Sequence, residues 1–213
     1  MGCQTVYTLN ALTLLRAFDD PTYARVLGRA DVVLADGVGA AWAARRLTGR
    51  TPERTPGIDL LAALCGICAQ EGQSVFLLGG KPGVAARAGT ALVAHAANLR
   101  IAGCREGYWP DADEAGVVDE INRSGAGLLL VGLGQPRQEW FLDRWRETLQ
   151  ARLAVGVGGS FDVLAGDLRR APVWMQRVGL EWLFRTLQQP ARLARIWQLP
   201  RFVWRVLRTR FRR

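Results

Sequence analysis

The chain of 213 residues is poor in the residue types on which several enzyme classes depend. It has one histidine, His95, and one lysine, Lys81. Because His95 stands among alanines in a segment with helical character, a nucleophile activated by histidine is not expected. The Cys65-x-x-Cys68 pair lies in an apolar helical segment, and no second pair completes a zinc site. We expect these two cysteines to belong to the core.

Long apolar runs are also missing from the sequence. No stretch of 18 apolar residues occurs, and no charged-then-apolar leader opens the chain. We therefore expect a cytoplasmic protein with reduced thiols. A composition of 49% hydrophobic and 22% charged residues is typical of a globular protein.

The excess of positive charge lies in the last part of the chain. Residues 169–213 contain twelve arginines and a single acid, Glu181, and so carry a charge of +11. Since the whole chain carries +9, the rest carries −2. We therefore divide the chain into a domain over residues 1–168 and a basic appendage over residues 169–213.

Apolar strand-like segments alternate with helical segments throughout the first part. The predicted strands are residues 5–9, 31–35, 74–78, 100–103, 128–131 and 153–157. This alternation predicts an α/β, Rossmann-like domain, with a mostly parallel sheet and helices on both faces.

The most informative segment follows the strand at residues 128–131. The strand runs into Gly132-Leu133-Gly134 and then into a helix for which Pro136 fits the first position. Glycines at such a turn admit a ligand close to the backbone, and a helix start binds anions. We expect Arg137 and Gln138 to lie beside the same opening.

Other strands end in polar or glycine-rich turns, which parallel sheets bring to one edge. Asn10 follows the first strand. Asp36 follows the second, where it is either a general base with a pKa raised by partial burial or a helix cap. Gly79-Gly80-Lys81 follows the third and is either a phosphate contact or a turn before a helix.

Two further patterns have competing interpretations. Asp111 and Asp113 resemble a metal-binding acidic pair, but their place before a helix favours capping, and no metal site is predicted. The last helix carries an apolar stripe (Val203, Leu207 and Phe211, beside Trp204) and arginines on another face (Arg201, Arg205, Arg208 and Arg212). This pattern favours a helix at an anionic membrane surface over a helix packed on the body. A nucleic-acid-binding arm is the third interpretation, because such an arm would have less apolar surface.

Eight motifs in order give the chain a resemblance to a known family. They are TLN at 8–10, ADG at 35–37, ERTPGID at 53–59, FLLGGKPGVA at 76–85, GYW at 107–109, VGLGQPRQEW at 131–140, VGVGGSFDVLAGDLRRAP at 155–172 and GLEWLFR at 179–185. Together they resemble the WecG/TagA/CpsF glycosyltransferases, the N-acetylmannosaminyltransferase type, over nearly the whole chain.

The resemblance implies an inverting, metal-independent enzyme without a cofactor. Its donor would be a UDP-sugar (N-acetylmannosamine, its uronic acid, glucose or glucuronic acid), and its acceptor an undecaprenyl-diphosphate-linked saccharide in teichoic acid, common antigen or exopolysaccharide synthesis. The basic tail would bring it to the inner face of the cell membrane. Nucleic acid is not an expected partner, and a homo-oligomer is compatible with the sequence.

The resemblance also assigns roles to individual residues. It makes Asp36 the catalytic base, with Thr8 and Asn10 beside it. Arg54 and Gln138 match polar residues around the donor, and the tail arginines nominated for the site are Arg185 and Arg192. With the glycine-rich turns, the expected substrate-binding set is Arg54, Gly79, Gly80, Lys81, Gly132, Gly134, Arg137, Gln138, Arg185 and Arg192. The alternative is a non-catalytic nucleotide-binding protein at the membrane surface.

Overall fold

Six parallel strands form the centre of the molecule, as seen in a computed structural model that describes residues 2–190 and 193–210. The strands are β1 (Gln4–Leu9), β2 (Val32–Ala35), β3 (Ser74–Gly79), β4 (Arg100–Arg105), β5 (Leu128–Gly132) and β6 (Leu153–Gly156). Their order in the sheet is β2-β1-β6-β5-β3-β4. All their carboxyl ends therefore meet at one edge.

Helices connect the strands and continue after the last one. They are α1 (Ala11–Asp19), α2 (Pro21–Gly28), α3 (Val38–Thr48), α4 (Gly57–Gln70), α5 (Val84–His95), α6 (Glu114–Arg123), α7 (Arg137–Trp145), α8 (Ser160–Leu164), α9 (Val173–Arg177), α10 (Glu181–Gln188), α11 (Leu193–Ile196) and α12 (Leu199–Arg210). Asp113 occupies the N-cap position of α6, but its side chain makes no capping hydrogen bond.

Each central strand is buried on both sides. Leu129 and Val131 of β5 point into a core shared with α2, α6 and α7. Leu128 and Leu130 point into a second core shared with α4, α5 and α8. Alternate residues of a strand face opposite sides of a sheet, so these two cores confirm the predicted α/β fold with helices on both faces. The buried Cys65 belongs to the second core, as expected.

The last helix packs on the body of the protein. Phe202 and Val206 of α12 are buried in a third cluster with Leu15 of α1 and Ala43 of α3. Val203 of the predicted apolar stripe is exposed, so α12 docks on the body through a different pair of side chains, and contact of the stripe with a membrane stays a prediction. Phe211 and Arg212 lie outside the described residues.

The arginines of α12 have mixed surroundings. Arg201 and Arg205 each form a salt bridge with Asp19 of α1, at 3.2 Å and 2.8 Å. Arg208 instead stacks over the exposed Trp204. One side of α12 is thus fixed to the body by apolar and ionic contacts, while the other side faces solvent. Within the described ranges, no helix is both long and apolar enough to span a bilayer.

Candidate active site

A cavity of about 1350 Å³ lies at the carboxyl edge of the sheet. Its walls include the loops after all six strands, together with residues of α1, α3, α10 and α12. Ten of the residues predicted for the site line it: Thr8, Asn10, Asp36, Arg54, Gly80, Lys81, Gly132, Gly134, Arg137 and Arg185. Gly79 and Gln138 do not line this cavity, and Arg192 lies outside the described residues.

Asp36 stands at the end of β2, next to the end of β1. The register pairs Ala35 with Leu9, and the Asp36 N–H donates to the Leu9 carbonyl over 2.8 Å. Helix α3 has Gly37 as its N-cap and no capping side chain, so Asp36 does not cap that helix. The carboxylate is instead partly buried at the cavity wall.

Burial is the largest influence on the Asp36 carboxyl. It raises the pKa of Asp36 above the usual range, and the Glu181 carboxylate adds to this rise. Arg185, a hydrogen bond from the Gly57 backbone and Arg54 act in the opposite direction on the same pKa. Desolvation outweighs these contributions, so the pKa of the Asp36 carboxyl is raised overall.

Two arginines near Asp36 are held in place by backbone carbonyls. Arg54 Nη2 donates to the Gln176 carbonyl over 2.7 Å, and Arg185 Nη2 donates to the Gly159 carbonyl over 3.1 Å. Each guanidinium has five N–H donors, so each keeps further donors for a ligand. The two side chains therefore present fixed positive charge beside the carboxylate.

Asn10 has a role different from the expected one. Its Oδ1 accepts from the backbone N–H of Leu12 and Thr13 and so caps α1. Its Nδ2 donates to Gln135 Oε1 over 2.8 Å. Both ends of the amide are thus occupied by the protein itself, and Asn10 positions the loop after β1.

Gln135 is a site residue that the sequence reasoning missed. Its Oε1 also accepts from the Thr13 hydroxyl over 2.6 Å, and its Nε2 donates to the Thr8 carbonyl over 2.8 Å. The Thr8 hydroxyl donates in turn to the Gly156 carbonyl of β6. These bonds tie together the loops after β1 and β5. The only sequence signal was the place of Gln135 between Gly134 and Pro136.

The glycine-rich turn after β3 is shaped by packing against β5. A Cβ on Gly79 would lie 2.4 Å from the Gly132 carbonyl carbon, and the Gly80 N–H donates to the Gly132 carbonyl over 3.2 Å. The Gly80 N–H and the space beside Gly79 are thus both taken up by Gly132. Gly79 itself does not line the cavity, which corrects the expectation of a phosphate contact at Gly79. Lys81 remains exposed at the cavity wall.

The two glycines after β5 serve different purposes. A Cβ on Gly132 would lie 2.6 Å from the Phe161 ring, so this glycine is required for packing. Gly134 has a φ of +76° and open space around its Cβ position. Only Gly134 therefore fits the predicted close approach of a ligand to the backbone.

Arg137 and Gln138 are neighbours on α7 with different environments. Arg137 lines the cavity, donates to the Gly107 carbonyl and lies over the Trp109 ring with its guanidinium carbon 4.5 Å from the ring centre. Gln138 is fully buried, and its Oε1 accepts from the Gly158 N–H over 3.0 Å. The expected substrate contact through Gln138 is thus corrected to a contact with a cavity loop. Pro136 is the N-cap of α7 and not its first residue.

Carboxylates other than Asp36 also border the cavity, among them Glu181 at the start of α10. Glu181 is not among the residues predicted for the site, although it is the only acid of the basic tail. Within the described ranges, no three His, Cys, Asp or Glu side chains come together in a way that could hold a metal ion.

A comparison with known protein families identifies the family of this chain. The family model described as Glycosyl transferase WecG/TagA/CpsF family matches residues 2–213. The match covers essentially the whole chain, so the protein belongs to this family. It is therefore a glycosyltransferase of cell-surface polysaccharide synthesis, which takes a sugar donor and an acceptor.

Proposed function

We propose, from this family membership and the surroundings of Asp36, that the protein is an inverting transferase using a UDP-sugar. The donor sugar is of the N-acetylmannosamine type or a related hexose or uronic acid, and the acceptor is an undecaprenyl-diphosphate-linked saccharide. Asp36 takes the proton of an acceptor hydroxyl while that oxygen bonds to the anomeric carbon. The bond from that carbon to the UDP oxygen breaks on the opposite face, and UDP leaves.

The observation that carries this proposal is the partly buried Asp36 carboxylate at the cavity wall, near Arg54 and Arg185. A carboxylate in water is a weak base, and partial burial makes it a stronger one. Arg54 and Arg185 act in the opposite direction on the same pKa and so favour the ionised form, which can accept a proton. This balance is what a base for a sugar hydroxyl requires.

The departing UDP needs positive charge, and three arginines supply it in our proposal. Arg54, Arg137 and Arg185 all line the cavity, and guanidinium groups bind diphosphates through paired hydrogen bonds. Lys81 stands at the same wall. This set of fixed cations supports transfer without a metal ion, with the charge on the leaving group stabilised as it develops.

The appendage over residues 169–213 provides membrane association in our proposal. Large apolar side chains are exposed on the segments that follow the sheet: Val173, Trp174, Val178, Leu187, Leu193, Trp197, Val203 and Trp204. Trp197 is 83% exposed, and such a side chain favours the headgroup region of a bilayer when arginines accompany it. A peripheral position on the inner face of the cell membrane would give the cavity access to a lipid-linked acceptor.

The direct test is sugar transfer to a synthetic undecaprenyl-diphosphate–GlcNAc acceptor with a panel of UDP-sugars, in the presence of EDTA. We expect transfer from one donor, with inverted configuration at the anomeric carbon and no loss in EDTA. Retention of configuration, or a need for added divalent metal, would contradict the mechanism. UDP binding without transfer from any donor would favour the non-catalytic alternative.

Membrane binding gives a second prediction. Replacing Trp197 and Trp204 by serine is expected to weaken binding to phosphatidylglycerol vesicles by about tenfold, because two exposed indoles lose their contact with the headgroup region. Co-sedimentation with vesicles measures this change. Raised salt is expected to weaken the remaining binding, since it screens the arginines.

The matched control for the vesicle experiment is Ile67→Ser. Ile67 is 48% exposed on α4, outside the appendage, so the change removes exposed apolar surface from the body. It is expected to leave vesicle binding unchanged. An equal loss in the control and the tryptophan variant would show that the appendage has no special part in binding.

A further inference from the structure

A carboxylate that the proposed reaction does not use is buried next to Tyr23, a residue of the cavity wall. Glu139 of α7 is fully buried, as is its neighbour Gln138. Its Oε2 accepts from the Tyr23 hydroxyl over 3.0 Å, and its Oε1 accepts from Gln138 Nε2 over 2.8 Å. Both carboxylate oxygens therefore have donors, and one of these donors is the side chain that reaches a cavity loop.

The Gln138 amide has only one orientation that satisfies its two partners. The Gly158 N–H can only donate, so it requires the amide oxygen, which accepts over 3.0 Å. An ionised Glu139 can only accept, so it requires the amide nitrogen. If the amide turned over, N–H would face N–H at Gly158 and oxygen would face oxygen at Glu139. The ionised carboxylate thus fixes which end of Gln138 meets the loop.

The loop held in this way carries parts of the proposed site. Gly158 and Gly159 line the cavity, and the Gly159 carbonyl accepts from Arg185. Arg185 is the largest of the influences that lower the pKa of Asp36. A continuous series of hydrogen bonds therefore leads from Glu139 through Gln138 to the loop and to the arginine beside the base.

We propose that Glu139 is a positioning residue for sugar transfer: it orients the Gln138 amide so that the Gly158–Gly159 loop and Arg185 are held at the cavity. The proposal rests on the proposed function. Glu139 touches no substrate and acts only through Gln138. Its ionised form strengthens the bond from Gln138 Nε2 and rejects the turned-over amide, whereas a protonated carboxyl accepts either end and leaves the selection to the Gly158 N–H.

The groups around Glu139 determine the pKa of its carboxyl. Burial raises the pKa of Glu139 to about 7, against hydrogen bonds from Gln138 and Tyr23 and the charge of Arg16. Tyr7 donates to the Glu139 backbone carbonyl, and Asp143 lies near Tyr7. The orienting effect is therefore expected to be present above neutral pH and to fade below it.

The test compares wild type with Glu139→Gln, whose side chain is neutral at every pH. We expect kcat of the variant to be about tenfold lower at about pH 8, and nearly equal to wild type at about pH 5.5. KM for the UDP-sugar should change less than kcat. At about pH 5.5 the side chain at position 139 is neutral in both proteins, so Arg185 is held alike and the Asp36 pKa is the same in both. At about pH 8 a less firmly held Arg185 raises the Asp36 pKa in the variant, which adds to the loss of rate.

A second pair of variants isolates the route through Gln138. In a Gln138→Met background, Glu139→Gln is expected to have no further pH-dependent effect, because the amide to be oriented is absent. A ratio that does not vary with pH, or full additivity of the two substitutions, would overturn the proposal. Asn122→Ala removes side-chain hydrogen bonds to Thr148 and Gln150 away from the cavity, and is expected to leave activity unchanged.

Hydrogen exchange decides the same point without any enzymatic assay. Peptides that cover Gly158 and Gly159 are expected to exchange faster in Glu139→Gln than in wild type at about pH 8, after correction for intrinsic rates, and equally at about pH 5.5. Equal exchange at both pH values would overturn the proposal. A chain that transfers no sugar but shows the exchange difference would refute the proposed function alone.

Discussion

Replacing Asp36 with asparagine is expected to lower kcat by about 10²–10⁴-fold, the contribution typical of a general base. The amide has nearly the same shape as the carboxylate and cannot take the proton of the acceptor hydroxyl. UDP binding should persist, since the arginines at the cavity are unchanged. Calorimetry with UDP and initial rates with the active donor measure the two quantities separately.

The pH profile of transfer offers a sharper check on the same residue. Asp36 acts when it is ionised, so the rate should rise as the pH passes through its raised pKa. Arg185 lowers this pKa and Glu181 raises it. Arg185→Gln is therefore expected to move the acidic limb of the profile to higher pH, and Glu181→Gln to lower pH.

Opposite shifts from these two variants would be difficult to produce by general damage to the site, which makes them matched controls for each other. If both left the acidic limb in place while Asp36→Asn abolished transfer, the limb would belong to another group. Asp36 would then serve the reaction in some way other than as a titrating base.

Replacing Phe202 with alanine is expected to destabilise the docking of α12 by about 3–5 kcal/mol. Phe202 is buried against α1 and α3, and its ring contacts Trp42 edge-on with centroids 6.1 Å apart. Apart from Val206, few buried side chains hold this helix. The effect should therefore appear as faster hydrogen exchange and proteolysis of α12, with a smaller change for the sheet.

Transfer activity should fall in the same variant, because Leu199, Phe202 and Val203 form part of the cavity wall. Trp204→Ala is the control, since Trp204 is an aromatic residue of the same helix that is 52% exposed. It should leave exchange of α12 unchanged. If Phe202→Ala and Trp204→Ala behaved alike, α12 would not depend on this cluster.

The strands and the location of the site were predictable because local patterns determine them. Continuous apolar runs such as residues 128–131 occur where a strand is buried on both faces, and β5 is such a strand. Parallel strands place their carboxyl ends at one edge, so Asp36 and Gly134 lie at the same edge and line the same cavity. The roles of these residues came from the resemblance of the motifs to a family. Hydrophobic patterning predicts where the residues lie and does not test such roles.

The orientations of individual side chains were not predictable in the same way. Arg137 and Gln138 are consecutive, and consecutive residues of a helix point about 100° apart, so one faces the cavity and the other the core. Asn10 was expected at the reaction centre, yet its amide is used by α1 and Gln135. Its partners Leu12 and Thr13 are local, but Gln135 lies 125 residues away in the chain, beyond the reach of any local signal.

The last helix shows how an amphipathic pattern can support two docking faces. Val203 and Leu207 form an i, i+4 pair, and so do Phe202 and Val206, one residue earlier. The structure buries the second pair in the groove of α1 and α3, where Arg201 and Arg205 also reach Asp19. Only the tertiary partner, with its groove and its acid, selects between the two pairs.

The strand order has a consequence for how the protein is made. Strand β1, at residues 4–9, lies between β2 and β6, and its partner β6 is not synthesised until residues 153–156. At about 5–20 residues per second, a ribosome needs on the order of ten seconds or more to supply that partner. During this interval one edge of β1 is unpaired, while Asp36 has no closed cavity around it. The nascent chain thus has an exposed strand edge for most of its synthesis, and this is the period when a chaperone would be of most use to it.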